Sequence, residues 1–394
     1  MFKKPLKIIN FAVLLQQQRY IVAISYLFYL QNGLSLSDFL LFQSIFYFTG
    51  LIAEIPAGYL ADIFPRKNVL IFSYLLFLAR IIMWILLPNY WTILAGEVLY
   101  GLSKAFYRGT SDSYIYDYLK SSGTPNTMVN KYGKFNFYMS CGSATSCLIG
   151  AWLYKYMGFT VLLSIEMFCN STAVFLLLFL PDLPQKKPYI SLKKHIIRMF
   201  NIVGKAIQNT NLSIYMLFGS ILSGITSVFV WNFQPIMKSF SIPVFVFGIV
   251  YFINHMLRAL CSFNAHRILD KLSLEKIGII SWLMYVISFI LMFKLIGYAD
   301  KTACMAIIIF VCIAIGIQMI FNVGNISRIH KLIPQKARAT MSSVNFMLTG
   351  LFSGILLITF KHFAVNNSAQ NILYFVVIFI FLIVLAKKMS EKTS

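Results

Sequence analysis

Several ionisable side chains lie inside long apolar runs of this 394-residue chain. An ionised side chain at the centre of a bilayer costs about 2.5–3.5 kcal/mol, so each must pair, face water or reach the interface. The acidic residues in such runs are Glu54, Glu97, Asp112 and Glu166, and the basic ones are Arg19, Arg80, Lys104, Arg108 and Arg258. Carboxyl groups held there can exchange a proton between the two sides of a membrane. We select Glu54, Glu97 and Asp112 as candidate proton-coupling residues.

The composition indicates a chain embedded in a lipid bilayer. Hydrophobic residues make up 59% of the chain and charged residues only 12%, whereas soluble domains carry about 25% charged residues. The formal net charge of +22 would favour nucleic acid in a soluble protein, but no basic run is interleaved with aromatics on a polar segment. Basic cytoplasmic loops explain the charge better, so we reject nucleic-acid binding and name the lipid bilayer as a partner.

Runs of about 20 apolar residues, the length needed to cross the hydrocarbon core, occur twelve times. The predicted spans are 9–31, 36–60, 68–87, 90–112, 135–155, 159–180, 212–235, 243–263, 276–297, 303–324, 340–361 and 370–387. A basic segment, residues 181–211, divides them six and six. We therefore predict an all-α membrane protein with two pseudo-symmetric six-helix bundles, 1–180 and 212–394, joined by a cytoplasmic linker.

The distribution of lysine and arginine predicts the topology. With the N-terminus inside, the cytoplasmic segments hold about 24 of these residues, whereas the outer loops hold about four. The four outer residues are Lys155, Lys238, Lys301 and Lys361. Both termini are therefore predicted to be cytoplasmic in a multi-pass protein of the bacterial inner membrane.

The end of the second span carries a motif, Glu54-Ile-Pro-Ala-Gly-Tyr-Leu-Ala-Asp-Ile-Phe-Pro-Arg-Lys67. Its spacing resembles the second cytoplasmic turn of the major facilitator superfamily, with matches at Gly58, Asp62, Arg66 and Lys67. Glu54 and the following proline resemble a bacterial efflux-like subgroup. The resemblance implies the major facilitator fold and a turn that latches the outward-open state. We expect Gly58 to allow a neighbouring helix to approach closely. We expect Asp62 either to accept a hydrogen bond from the N-terminus of a neighbouring helix or to form an ion pair with Arg66.

Shorter motifs extend the resemblance to both halves of the chain. The stretches 101–117, ending in Tyr-Asp, and 338–343, reading Arg-Ala-Thr-Met-Ser-Ser, are similar to the same subgroup. Span five lacks the proline expected of many drug–proton antiporters. Its Gly142, Ser146 and Gly150 instead recur every four residues, which predicts a small-residue face for tight helix packing.

Candidate substrate-binding residues come from the spans that line the central cavity in this superfamily, namely one, four, seven and ten. They are Gln17, Arg19, Glu97, Lys104, Trp231, Gln234, Gln318 and Asn322. The polar run 16–19 is expected to face the cavity. Glu97 and Lys104 are two helical turns apart and share a face, which suits either a water-filled cavity or a salt-bridged seam. Hydrogen bonding between helices is the alternative for each amide residue.

These features predict a secondary active transporter that works by alternating access. The cargo is a small molecule, and protons drive export of a drug, peptide antibiotic or siderophore; the alternative is proton-coupled import of a siderophore or nutrient. The chain shows no Walker motif, no HExxH or GxSxG motif and no pair of clustered histidines, which argues against ATP drive and against an enzyme. The six cysteines form no CxxC pair, so no metal or cofactor is expected, and we expect a monomer.

Overall fold

The computed structural model describes residues 5–124, 128–183, 208–295, 300–333 and 338–365, together with 197, 201 and 204. Every regular element in these residues is helical. The chain divides into two compact units. Unit 1 comprises Met1–Leu34 and Ile45–Ile197, and unit 2 comprises Ser35–Ser44 and Arg198–Ser394.

The helices of the first half are apolar and mostly long. They are α1 (Pro5–Gln16), a 3-10 turn (Val22–Ile24), α2 (Ser25–Gln31), α3 (Leu36–Ile63), α4 (Arg66–Leu86), α5 (Tyr90–Ser121) and α6 (Met128–Leu178). In unit 1, α4 packs on α5 and α6, and α1 packs on α6. An apolar core joins these helices, with Ile9 of α1, Tyr74 of α4, Ile115 of α5 and Leu177 of α6 all buried in it.

The predicted first span, 9–31, is not one continuous helix. The α-helix ends at Gln16, the backbone turns at residues 17–21, and helical structure resumes as the 3-10 turn and α2. The break coincides with the polar run, whose glutamine side chains are buried in hydrogen bonds. Gln17 Oε1 accepts from Ser143 Oγ at 3.1 Å, and Gln18 Nε2 donates to Thr145 Oγ1 at 3.4 Å. Gln17 and Gln18 thus bond to side chains of α6, and the expectation that this run faces a cavity stays a prediction.

The predicted small-residue face on α6 packs against this broken segment. A Cβ added at Gly142 would lie 2.6 Å from the Leu14 carbonyl oxygen, and one added at Gly150 would collide with the Tyr20 carbonyl group. Ser146 Oγ donates to the Gln17 carbonyl oxygen at 3.2 Å. The small residues thus allow the backbone of the first span to approach α6 closely, as predicted.

Helix α6 covers the predicted fifth and sixth spans and changes course at Gly158. The backbone there is non-helical, with φ 66° and ψ −179°. Positive φ is readily adopted only by glycine, so this residue allows the chain to turn between two apolar segments.

Unit 2 contains six helices within the described residues besides the start of α3. They are α7 (Thr210–Ser239), α8 (Val244–Phe263), α9 (Ala265–Leu269), α10 (Leu274–Leu295), α11 (Lys301–Leu332) and α12 (Arg338–Val365). Helix α11 packs on α7, α8, α9 and α10, and α12 packs on α7. The mostly apolar α11 is thus the central helix of this unit.

Side-chain caps begin several of the long helices. Asn89 and Thr92 form a reciprocal capping box at the start of α5, and the Asn209 side chain accepts from Leu212 N at the start of α7. Asp300 caps α11, and the hydrogen bonds from Thr302 hold the pKa of its carboxyl group below the usual value. The polar residues between apolar runs therefore define the helix starts.

Eight helices within the described residues are long and apolar enough to cross a membrane. The count of twelve stays a prediction. Helices α1 and α2 are each short, α5, which contains the predicted span 90–112, is not among the eight, and two predicted spans lie along α6. The predicted span 370–387 lies outside the described residues, as does most of the predicted linker 181–211.

We expect Gly150→Ala to destabilise the protein, because the added methyl group collides with the Tyr20 backbone. The cost of such overpacking is typically about 1–3 kcal/mol. Gly133→Ala is the matched control on the same helix, since its added Cβ would meet no described atom within 4 Å and alanine favours helix. Thermal unfolding in detergent should give a lower Tm for the first variant and an unchanged or higher Tm for the second. Equal Tm values would contradict the packing of α6 on the first span.

Candidate functional site

A cluster of buried charges lies within unit 1, where α4, α5 and α6 meet. Arg80 of α4 lies between two carboxylates, with Nη2 3.6 Å from Glu97 Oε1 and Nη1 3.9 Å from Glu166 Oε1. The exposed fractions of the whole residues are 5% for Arg80, 2% for Glu97 and 0% for Glu166. Two acids that are almost completely shielded from solvent therefore share one guanidinium group.

The two carboxylates differ in their other contacts. Glu97 Oε1 accepts a hydrogen bond of 2.9 Å from Tyr29 Oη of α2. Glu166 forms no side-chain hydrogen bond within the described residues; its ion pair with Arg80 is long, and the backbone N–H groups of Tyr20 and Ile21 act on its carboxylate. A proton on Glu166 would remove a buried charge that shares its counter-charge with Glu97.

Tyr100 of α5 lies among three cations. The Arg80 guanidinium carbon lies 4.8 Å from its ring centroid, Lys104 Nζ 5.5 Å and the Arg19 guanidinium carbon 5.8 Å. Arg19 also donates to Tyr100 Oη and, at 2.6 Å, to Gln17 Oε1. Because the break after α1 places Arg19 here, the unwound segment and α5 jointly build the cationic side of the cluster.

A second charge pair joins the motif at 54–67 to the motif at 101–117. Arg66, at the start of α4, pairs with Asp117 of α5 and donates to the Ser113 carbonyl oxygen at 2.7 Å. The side chains of Arg66 and Asp117 are both 21% exposed. This contact ties the turn between α3 and α4 to the end of α5.

The sequence and the fold were compared with known proteins. A family model of the Major Facilitator Superfamily matches residues 8–358. The chain belongs to the major facilitator superfamily. It is therefore a multi-pass transporter, as the turn motif suggested. No curated protein sequence is significantly similar to it.

Solved major facilitator structures share the fold at low sequence identity. A mutant of the nucleoside transporter NupG gives a TM-score of 0.75 at 14% identity, with 98% of each chain covered. A POT family transporter in complex with 5-aminolevulinic acid gives 0.78 at 12%, covering 98% of this chain and 95% of that one. A mutant peptide transporter POT in complex with alafosfalin gives 0.73 at 14%, covering 99% and 94%.

The turn motif of this major facilitator protein differs in detail from our expectation. Asp62 is exposed, and the ion-pair partner that the structure shows for Arg66 is Asp117. Gly58 is exposed too, and a Cβ added to it would meet no described atom within 4 Å. Lys67 follows in the first turn of α4 and is half-buried. The close-approach role expected for Gly58 stays a prediction.

The predicted proton-coupling residues are not brought together. Glu97 belongs to the buried cluster, whereas Glu54 is buried on α3 and Asp112 is half-buried on α5, where it accepts from Ser111 Oγ at 3.3 Å. Neither Glu54 nor Asp112 is an ion-pair partner of Arg80, and a proton-coupling role for all three residues stays a prediction.

The predicted substrate residues of the second half lie in unit 2. Gln318 is buried; its Oε1 accepts from Tyr285 Oη at 2.6 Å and from Thr226 Oγ1. Gln234 is buried and donates to Tyr251 Oη at 3.0 Å. Asn322 and Trp231 are half-buried. Hydrogen bonds within unit 2 thus engage the two glutamines, and a substrate role for all four residues stays a prediction.

Arg80, Glu166, Tyr100 and Tyr29 complete the cluster and were not among the predicted site residues. Arg80 and Glu166 carried a signal, because both are charges within apolar spans. The tyrosines carried none, since 22 tyrosines are spread along the chain and only the fold selects these two.

We expect Arg80→Gln to destabilise this protein strongly, because two buried carboxylates lose their shared counter-charge. Removing one partner of a buried ion pair typically costs about 3–5 kcal/mol. Adding Glu166→Gln to that variant should recover part of the loss. Thermal unfolding in detergent measures both, and a double variant no more stable than Arg80→Gln alone would contradict the shared pairing.

We expect Asp117→Asn to lower stability more than Asp62→Asn, because Arg66 pairs with the first of these acids. The pair is partly exposed, so the difference should be modest, roughly 0.2–1 kcal/mol. Unfolding curves of the two variants at low salt provide the comparison. A larger loss of stability from Asp62→Asn would indicate that Arg66 pairs with Asp62, as the spacing suggested.

Proposed function

We propose that the protein is a proton-coupled secondary transporter that exports a drug, a peptide antibiotic or a siderophore across the bacterial inner membrane. The observation that carries the proton coupling is the sharing of Arg80 by two buried carboxylates. With both acids ionised, this triad has one more negative than positive charge. A proton that binds to either acid removes that imbalance, so the triad is suited to load and release one proton.

Proton binding would also alter contacts between helices. Glu166 belongs to α6, Arg80 to α4 and Glu97 to α5, so the two ion pairs connect three helices. Protonation of Glu166 would weaken the α4–α6 connection and leave Arg80 to Glu97, which Tyr29 also binds. A change of protonation thereby becomes a change in helix contacts, which alternating access requires. Glu166 therefore joins Glu54, Glu97 and Asp112 as a candidate proton carrier.

The proton gradient is a sufficient energy source. One charge moving across 100 mV is worth about 2.3 kcal/mol, and a pH difference adds to it. The solved structures with a similar fold include nucleoside and peptide transporters, which is compatible with a small polar cargo. We infer that Arg19 and Lys104 of unit 1 are cargo-binding residues, and we propose the same role separately for the predicted residues of unit 2.

The direction of transport rests on the resemblance of the Glu54-to-Lys67 motif to the efflux-like subgroup. Import of a siderophore or nutrient is the second candidate, since the buried triad serves either direction. Inside-out membrane vesicles separate the two. Export in the cell appears as proton-driven accumulation inside such vesicles, whereas import in the cell appears as accumulation in right-side-out vesicles.

We expect Glu97→Gln and Glu166→Gln each to reduce gradient-driven accumulation at least about tenfold, because each removes a titrating group from the triad. The cargo is first identified by screening a deletion strain against a panel of toxins and siderophores. Accumulation is then measured in vesicles with and without an imposed pH difference. Glu54→Gln and Asp112→Asn in the same assay test the other predicted carriers.

Asp182→Asn provides the control, since this acid is exposed just beyond α6 and should not carry protons. Exchange of cargo without a gradient should persist in the Glu97 and Glu166 variants, which distinguishes lost coupling from lost folding. Full gradient-driven accumulation in both variants would exclude the triad as the proton site.

A further inference from the structure

We propose that Asn170 is the hydrogen-bond partner of protonated Glu166, which makes it a positioning residue for proton coupling. This inference rests on the proposed role of Glu166 as a proton carrier and adds the group that stabilises its protonated form. It depends on an unpartnered amide, on the spacing of the two residues along α6 and on the hydrogen bonds that each form of a carboxyl group can make.

The side chain of Asn170 is an amide that the fold leaves without a partner. The residue is 0% exposed, and neither its Oδ1 nor its Nδ2 has a hydrogen-bond partner within the described residues. Leaving a buried donor or acceptor unpaired is costly, and most buried polar side chains are hydrogen-bonded. We therefore expect this amide to gain a partner in another state of the protein.

Glu166 lies one helical turn before Asn170. Because the two residues are four positions apart in α6, their side chains share one face of the helix. Side chains at this spacing are close enough to form hydrogen bonds along a helix. Glu166 is also 0% exposed, and its carboxyl group forms no side-chain hydrogen bond within the described residues. An acid and an amide that both lack a side-chain partner for a hydrogen bond are thus neighbours in the interior of unit 1.

The amide can pair fully only with the protonated acid. A carboxylate has acceptors alone, whereas a carboxylic acid has an O–H donor as well as an acceptor. Protonated Glu166 would donate its O–H to Asn170 Oδ1 and accept from Asn170 Nδ2, so two hydrogen bonds satisfy both side chains. Ionised Glu166 could accept from Nδ2 but would leave Oδ1 without a donor. The amide therefore distinguishes the two protonation states.

Other groups around Glu166 act on its negative charge. Arg80 Nη1 lies 3.9 Å from its Oε1, Arg19 adds a second positive charge, and two backbone N–H groups of residues 20 and 21 can only donate to it. The remaining titratable groups that act on it directly or through Arg80 are the side chains of Tyr20, Glu97, Tyr100, Cys147 and Cys169. Proton binding would thus release the carboxyl group from Arg80 of α4 and turn it toward Asn170 on its own helix.

A double-mutant cycle on the purified full-length protein in detergent tests this pair. Glu166→Gln introduces a neutral side chain with a donor and an acceptor, which is what the protonated acid offers. In that background we expect Asn170→Leu to lower the Tm by a few degrees, because the pair is lost. In the wild-type background at alkaline pH, the same substitution should leave the Tm unchanged or raise it, since it removes only an unpartnered amide.

Two further variants control for effects of volume and of burial. Asn254→Leu is the matched control, because Asn254 is 1% exposed in unit 2 and its Oδ1 also lacks a hydrogen-bond partner within the described residues. Its effect on the Tm should be the same with and without Glu166→Gln. Asn170→Ala removes the amide without adding volume, so it should depend on the Glu166 background in the same direction as Asn170→Leu.

The pH profile of gradient-driven accumulation provides a readout that a purely structural role would not change. Loss of the amide removes the hydrogen bonds of the protonated acid, so a higher proton concentration is needed to load Glu166. For Asn170→Leu we expect the half-maximal rate at a pH lower by about one unit, which is an about tenfold higher proton concentration. Asn254→Leu should keep the wild-type profile.

Two results would overturn the proposal. In the first, Asn170→Leu changes the Tm equally in both Glu166 backgrounds. In the second, Glu166→Gln abolishes gradient-driven accumulation but Asn170→Leu leaves the pH of half-maximal accumulation unchanged. Failure of the transport hypothesis would look different, because Glu166→Gln would then leave gradient-driven accumulation intact while the Tm values still showed coupling between positions 166 and 170.

Discussion

The ion pairs of Arg80 with Glu97 and Glu166 impose the main physical constraint on the first half of this protein. Three ionisable groups are almost completely removed from water, and the guanidinium group can pair with both carboxylates only if α4, α5 and α6 keep their relative positions. Tyr29 then binds Glu97 and brings α2 into the same network. The stability of helices joined by ion pairs depends on the protonation of the carboxyl groups as well as on side-chain packing. The stability of this bundle and its proposed coupling therefore depend on the same few side chains.

The broken first span follows from the same requirement that buried polar groups find partners. Leaving the helix after Gln16 frees backbone groups that need new hydrogen-bond partners. The serines of α6 bind Gln17, and the glycines of α6 let this segment come close enough to be bound. The break in the helix also directs the Arg19 side chain toward Tyr100 rather than toward lipid. Small residues on one helix thus allow a polar, irregular segment to lie within an apolar bundle.

Sequence reasoning predicted the helical class, the family and most helix positions, because apolar length and the Gly58-to-Lys67 motif are local signals. The packing face of α6 was predictable for the same reason, since its small residues recur every four positions. The pairing of charges could not be predicted from the sequence, because Arg80 and Glu166 are far apart along the chain. The spacing of Asp62 and Arg66 suggested a pair, yet Pro65 separates α3 from α4 and the arginine binds α5 instead.

The two units satisfy their buried polar groups in different ways. In unit 2, Gln318 Oε1 already accepts from Tyr285 and Thr226, and its Nε2 donates to Ser223 at 3.3 Å. A ligand would have to replace these hydrogen bonds, and neutral amides offer little compensation for a buried charge. In unit 1 the buried polar groups include charges, and Arg80 pairs with Glu97 and Glu166. A change of protonation therefore acts directly on the helix contacts of unit 1, whereas the network around Gln318 is built from neutral hydrogen bonds and does not depend on it.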